Sequence, residues 1–112
     1  MNPKREIIKR IGEAAVLEQL AEEAAELAQS ALKMARIIRG ENPTPVTAAA
    51  AYDSLFEEVG DVRLCISVME GMYGEFDTKE PEEKKLLRWQ NRLNDFHGGA
   101  VMPPVEETKN EV

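Results

Sequence analysis

The stretches "EQLAEEAAELAQ", residues 18–29, and "LFEEVGDVRLC", residues 55–65, are built alike. Each sets a glutamate pair just ahead of a third acid: Glu22, Glu23 and Glu26 in the first, Glu57, Glu58 and Asp61 in the second. Each also lies in a run whose apolar residues recur at steps of three and four, the period of a helix that buries one side. Around the first stretch, Leu20, Ala24, Leu27, Ala31, Met34 and Ile38 keep that period. They predict one long helix over 13–39, closed by Gly40 as its C-cap. The two prolines of "GENPTP" then break the chain. Around the second stretch, Tyr52, Leu55, Val59, Val62, Ile66 and Met69 predict a helix from Pro45 or Thr47 to about Met72.

Outside these two runs the text is simpler. "PKREIIKRI", residues 3–11, fits a short amphipathic helix with Ile7, Ile8 and Ile11 on one side, interrupted at Gly12. "YGEFDTKEP" is a loop. Leu86, Trp89, Leu93 and Phe96 mark a third major helix over about 82–96, with Pro81 near its start, where proline is tolerated. The remainder, "HGGAVMPPVEETKNEV", is rich in Gly and Pro and then polar, so 97–112 is expected to be a mobile tail. No strand pattern competes. The expectation is an all-α protein: one helical domain over 1–96, its core completed by oligomerisation because a chain of 112 residues buries only part of its unfolded surface.

Composition agrees. The chain is 43% hydrophobic and 31% charged with 5% aromatics, a mixture that favours helix over strand. A net charge of −7 argues against a broad interface with a nucleic-acid backbone, while leaving room for one nucleotide held through metal ions. The single cysteine, Cys65, cannot form an internal disulfide, and one histidine, His97, cannot build a multi-histidine zinc site. No signal peptide or membrane-spanning run is evident, so a cytoplasmic protein is expected, without a membrane partner.

A helix turns about 100° per residue, so spacing fixes direction. In the second helix Arg63, Ser67 and Glu70 define a solvent arc, and Glu58 and Asp61 project oppositely, among Val62, Cys65, Val68 and Met69. In the first, Glu18, Glu22, Gln29, Lys33 and Arg36 share the solvent arc; Glu26 borders it, and Glu23 falls against Val16, Leu27 and Met34. Unpartnered ionised carboxylates are costly to bury, and mutual repulsion raises their pKa values. Two resolutions stand open. Lys33, Arg88 or Arg92 can pair with the acids, or divalent cations can sit among them, since carboxylates from two packed helices offer the hard oxygens that suit Mg²⁺ or Mn²⁺.

With those residues in view, "EEAAE" followed by "EEVGD" on the next long helix resembles the MazG-like, all-α nucleoside triphosphate pyrophosphohydrolases, whose pattern is an EExxE motif, a loop and an ExxD motif preceded by another acid. The surrounding "LEQLAEEAAELAQSALK" and "LFEEVGDVRLCISVM" are similar to that family's two motif helices, and "KLLRWQNRL" to the basic, aromatic-containing helix that often follows. The resemblance covers about residues 13–96. It implies an all-α bundle of that type that binds Mg²⁺ and hydrolyses nucleoside triphosphates to the monophosphate and pyrophosphate, assembled as a homodimer or homotetramer. Carried over position by position, the metal ligands are Glu23, Glu26, Glu58 and Asp61; Glu22 and Glu57 match the flanking acids. Gly60 departs from the alanine common there. Glycine at that place either weakens the helix by up to ~1 kcal/mol or admits a close neighbour.

On this reading metal ions reverse the sign of the acid cluster toward a phosphate and acidify a water. Glu23 or Glu26 is the expected proton acceptor, hence the catalytic residue. Lys33, and the stripe Lys85, Arg88 and Arg92, are the candidates for holding phosphate oxygens; surface pairing with glutamates is their plainer role. Trp89, Tyr52 and Phe56 could stack a base, although Trp89 shares a register with Leu86 and Leu93 and is expected in the core. Cys65 and Met34, Met69 and Met72 are expected to fill the core, and His97 to be a free surface imidazole. The competing reading is a non-catalytic helical module that dimerises or binds a partner protein, its acids serving only solubility. A di-iron carboxylate protein is disfavoured, because the usual ExxH elements are missing.

Overall fold

The computed structural model describes residues 2–41 and 46–96, and every regular element in them is a helix. These are α1 (Pro3–Ile11), α2 (Glu13–Arg39), α3 (Ala48–Tyr73) and α4 (Lys79–Asn94). The expectations for Pro45, for His97 and for the 97–112 tail lie outside the described residues. The chain divides into two compact units, Met1–Phe76 and Asp77–Val112.

Local chemistry sets the ends of α2 and α3. Gly40 takes the left-handed conformation (φ 69°) in which a side chain would be strained. From there its N–H reaches the Ile37 carbonyl at 3.1 Å, and that of Glu41 reaches Arg36 at 3.2 Å. Thr47 opens α3 by accepting the Ala50 N–H on its hydroxyl at 3.1 Å. Gly12, at φ 91°, separates α1 from α2. Asn2 caps α1, its side-chain oxygen accepting the Lys4 N–H at 2.8 Å.

In the first unit α2 and α3 pack along a regular seam. On α2 the residues withdrawn from solvent include Val16, Leu20, Glu23, Leu27, Ser30, Met34 and Ile37; on α3 they include Ala51, Leu55, Glu58, Val62, Cys65, Met69 and Met72. Both series advance by alternating steps of four and three, the pattern of helices that pack nearly side by side. Among the described residues only Val16, Ala51 and Val68 are buried. The α1 helix lies against the C-terminal part of α3. Lys4 Nζ donates to Ser67 Oγ at 2.7 Å, and Ile8 Cδ1 stands where a Cβ on Gly71 would meet it at 2.9 Å.

Several core expectations are corrected. Ala24, Ala31, Ile38, Tyr52 and Ile66 are exposed, with Ile38 at 72%. The apolar stripe of each helix is wider than one partner helix covers, and the seam follows one edge of it. Asp61, expected to face inward, is exposed as well.

The second unit holds α4, which begins three residues before the predicted start and ends two before the predicted end. Pro81 is its third residue, still within the first turn whose N–H groups need no helical partner. The Lys79 N–H is satisfied by Asp77 Oδ1 at 3.2 Å, and the Thr78 hydroxyl donates to Glu82 Oε2. Leu86, Trp89 and Leu93 share one side as expected, but each is more than half exposed, so the burial predicted for Trp89 is not found. Among the described residues, no helix is long and apolar enough to cross a membrane.

Candidate metal centre

The α2–α3 seam is interrupted by acids at facing positions. Glu23 and Glu58 both stand at places the four-three pattern otherwise gives to apolar residues, and both are half-buried. Glu26, one turn beyond Glu23 on α2, is exposed but turned to the same spot. One carboxylate oxygen from each of Glu23, Glu26 and Glu58 lies within 4.8 Å of the others. The structure thus brings together three of the four predicted ligands. Asp61 is not among them, although its charge still acts on Glu58. Glu22 and Glu57 are exposed.

Of the two resolutions open in the sequence, pairing with a base is not the one adopted. Among the described residues the ion pairs are Arg10–Glu6 at 3.6 Å and Lys84–Glu80 at 3.4 Å, both remote in sequence from the three acids. Glu23 Oε2 accepts a hydrogen bond from Gln19 Nε2 at 2.9 Å. Its other oxygen, Glu23 Oε1, is cut off from water with no partner, and so is Glu58 Oε1. Orphaned buried acceptors are uncommon and costly.

Electrostatics follow. Loss of surrounding water, then the charges of Glu26, Asp61, Glu23 and Glu57, hold the Glu58 carboxyl above its ordinary value. Burial, then Glu23 and Asp61, push the Cys65 thiol up. A thiol kept protonated is a poor nucleophile. Cys65 instead lines a small, almost wholly apolar pocket of 140 Å³ with Ile7, Ile11, Val16 and Val68.

The three acids have the chemistry of a hard-cation site: all-oxygen donors from two helices, two of them with an unused buried lone pair. They therefore fit Mg²⁺ or Mn²⁺. A cleft of 510 Å³ opens beside them, lined by Glu26, Gln29, Ser30, Leu32, Lys33, Arg36 and Glu58. Lys33, predicted from its bearing relative to Glu26, is in that lining. Lys85, Arg88 and Arg92 belong to the second unit, on α4.

Sequence reasoning missed Gln19 and assigned Gln29 and Arg36 only to the solvent arc. The signal for Gln19 was its place four residues before Glu23, where side chains on a helix meet. Gln29 and Arg36 extend the row that begins at Glu26 by one turn and by three. Comparison with protein-family models, curated proteins and solved structures finds no match to this chain.

Proposed function

We propose that the chain is a Mg²⁺-dependent nucleotide pyrophosphohydrolase of the MazG-like kind, cleaving nucleoside triphosphates to the monophosphate and pyrophosphate. One observation carries the reading: Glu23, Glu26 and Glu58 converge from two helices with two buried, unpartnered oxygens and, among the described residues, no ion pair to a basic side chain. A protein that used these acids only for solubility would gain nothing by setting them in its helix seam.

A divalent ion bound there would neutralise the acids, draw in phosphate oxygens and acidify a water. The rest falls to the chain. Glu23 is anchored by Gln19, and Glu58 is held between the helices. Glu26 is the exposed member and lines the cleft, which favours it as the group that accepts the proton of the attacking water. As the water oxygen bonds to phosphorus, the bond to the departing pyrophosphate breaks. Lys33 supplies positive charge in the same cleft. Asp61, as the fourth acid of the motif, would join the ligand set through its exposed carboxylate.

The site is part of a larger assembly on this reading. Phe56, Leu64, Leu32 and Ile38 are each more than half exposed, an apolar surplus suited to a homodimer or homotetramer. The alternative, a non-catalytic dimerisation or partner-binding module, draws on that same surplus but gives no role to the convergence of Glu23, Glu26 and Glu58. The test is an assay of purified protein against a panel of (d)NTPs with Mg²⁺, resolving pyrophosphate from orthophosphate. Pyrophosphate release that Glu26→Gln and Glu58→Gln abolish is expected. Release of orthophosphate alone, or no turnover by folded protein, would overturn the reading.

A further inference from the structure

We infer that α4 of one copy lies parallel along the exposed row Phe56–Gly60–Leu64 on α3 of a second copy, its cations set against the acids that flank that row. The inference gives the assembly of the proposed function a surface and a direction, and it does not depend on the chemistry of the acid cluster.

The α4 helix needs a cover. It carries no buried residue, and Leu86, Trp89 and Leu93 are each more than half exposed. A helix of 16 residues is marginal in water without tertiary packing. Beyond Glu83 its charged residues, Lys84, Lys85, Arg88 and Arg92, are all basic. At about 100° per residue, Lys85, Arg88 and Arg92 fall on one flank of the Leu86–Trp89–Leu93 stripe, and Glu83, Gln90 and Asn94 on the other.

The α3 row is the counterpart in shape and charge. Phe56 and Leu64 are more than half exposed, and a Cβ on Gly60 between them would meet nothing within 4 Å, so the row has a notch at its centre. Asp53, Glu57 and Asp61 flank it on one side, and Arg63 on the other. Among the described residues, none of Asp53, Glu57, Lys85 and Arg88 is ion-paired. Helices packed in parallel bring opposite flanks together, whereas antiparallel helices bring like flanks together. In parallel, Asp53 comes beside Lys85 and Glu57 beside Arg88, while Arg63 meets Gln90 and Asn94. Antiparallel packing would instead set Arg63 against the cations and the acids beside Glu83. The parallel register also places Trp89, the largest side chain of α4, over Gly60, with Leu86 at Phe56 and Leu93 at Leu64.

The chain's own α3 cannot be the partner in that register. Lys79 would stand level with residue 49, roughly 36 Å back along the α3 axis from Tyr73. The six peptide steps from Tyr73 to Lys79 reach at most about 22 Å. A second copy is therefore required, and a two-fold arrangement makes the contact twice and leaves neither α4 uncovered.

Sedimentation of the full chain across a concentration series, read beside the emission of Trp89, the single tryptophan, tests this. Emission should shift to the blue as dimer forms, because the indole leaves water for the Gly60 notch. Glu57→Arg and Arg88→Glu should each weaken self-association about tenfold or more, since like charges then face one another. Both positions are exposed and both new residues are good helix formers, so the fold is retained. The two reversals together should restore association to near the wild-type value. A single reversal without effect, or a double variant that associates no more tightly than the singles, would overturn the interface. So would a wild-type chain that stays monomeric at every concentration, or a Trp89 emission already blue-shifted in the monomer. Each of those results leaves pyrophosphate release untouched, and absence of that release would sink the proposed function while leaving this contact standing.

Discussion

Glu23 on α2 and Glu58 on α3 meet across the helix seam, each with an Oε1 shut off from water and lacking a partner. Two like charges in that position oppose the packing around them unless something positive lies between. Without a divalent cation, Glu58→Gln should therefore melt above wild type, since it removes one of the repelling charges and supplies an amide donor for Glu23. With Mg²⁺ at a hundredfold excess over its Kd, wild type should gain on the order of 10 °C, and Glu58→Gln little or nothing. Thermal melts at both conditions check this. An equal Mg²⁺ response in the variant would remove Glu58 from the site.

The same crowding predicts an inverted pH dependence. The Glu58 carboxyl titrates above its ordinary value because it has lost water and stands near Glu26, Asp61, Glu23 and Glu57. A group raised in this way holds its proton more tightly in the folded chain than in the unfolded one. Its contribution to stability is complete below the unfolded pKa and is lost as pH rises through the folded pKa. Metal-free wild type should thus lose melting temperature as pH climbs from the ordinary glutamate range toward neutrality. Glu58→Gln should flatten that slope. Mg²⁺ should reverse it, because deprotonation is what the ion requires. A metal-free profile identical in wild type and variant would contradict the account.

How much of this could be read in advance is clear from particular residues. The helices were legible because Gly40 and Thr47 carry end signals that act within a few residues. α1 and α2 match the predicted spans, α3 starts and ends one residue later than the span from Thr47 to Met72, and α4 shifted more, since Pro81 marks a first turn and not a boundary. Glu23 and Glu58 were legible as misplaced acids, because their apolar neighbours recur at helical spacing. The rotation of each helix about its axis was not. The apolar stripes of α2 and α3 are broad enough to accept several seams, and the choice that exposes Ile38, Tyr52 and Asp61 depends on how the two surfaces interlock. Cleft formation by Arg36 depends on the same choice.

Thr47 offers a test of the fold that is independent of the acids. Its hydroxyl is the side-chain partner of the Ala50 N–H at the start of α3, after a break containing two prolines. Thr47→Ala should cost about 1 kcal/mol, and Thr47→Ser or Thr47→Asp should keep most of the stability. Chemical denaturation measures this directly. A shift in midpoint without a change in slope would show that only the cap was lost.

Gly60 separates a helix defect from an interface. It lies mid-helix in α3, where a Cβ would meet nothing within 4 Å, so close packing inside the chain does not account for it. On that ground alone, Gly60→Ala should stabilise the monomer by about 1 kcal/mol through helix propensity. Yet Gly60 falls one turn after Phe56, 71% exposed, and one turn before Leu64, 56% exposed, so all three form a single exposed row on α3. If a second copy packs on that row, glycine permits its close approach, and the added methyl must push it away. Gly60→Ala is therefore expected to raise the melting temperature at dilutions where the chain is monomeric, and to move self-association to higher concentration. Sedimentation across a concentration series, read beside the melts, distinguishes the two effects. Stabilisation of equal size at every concentration would show that the Phe56–Gly60–Leu64 row is not where the copies meet.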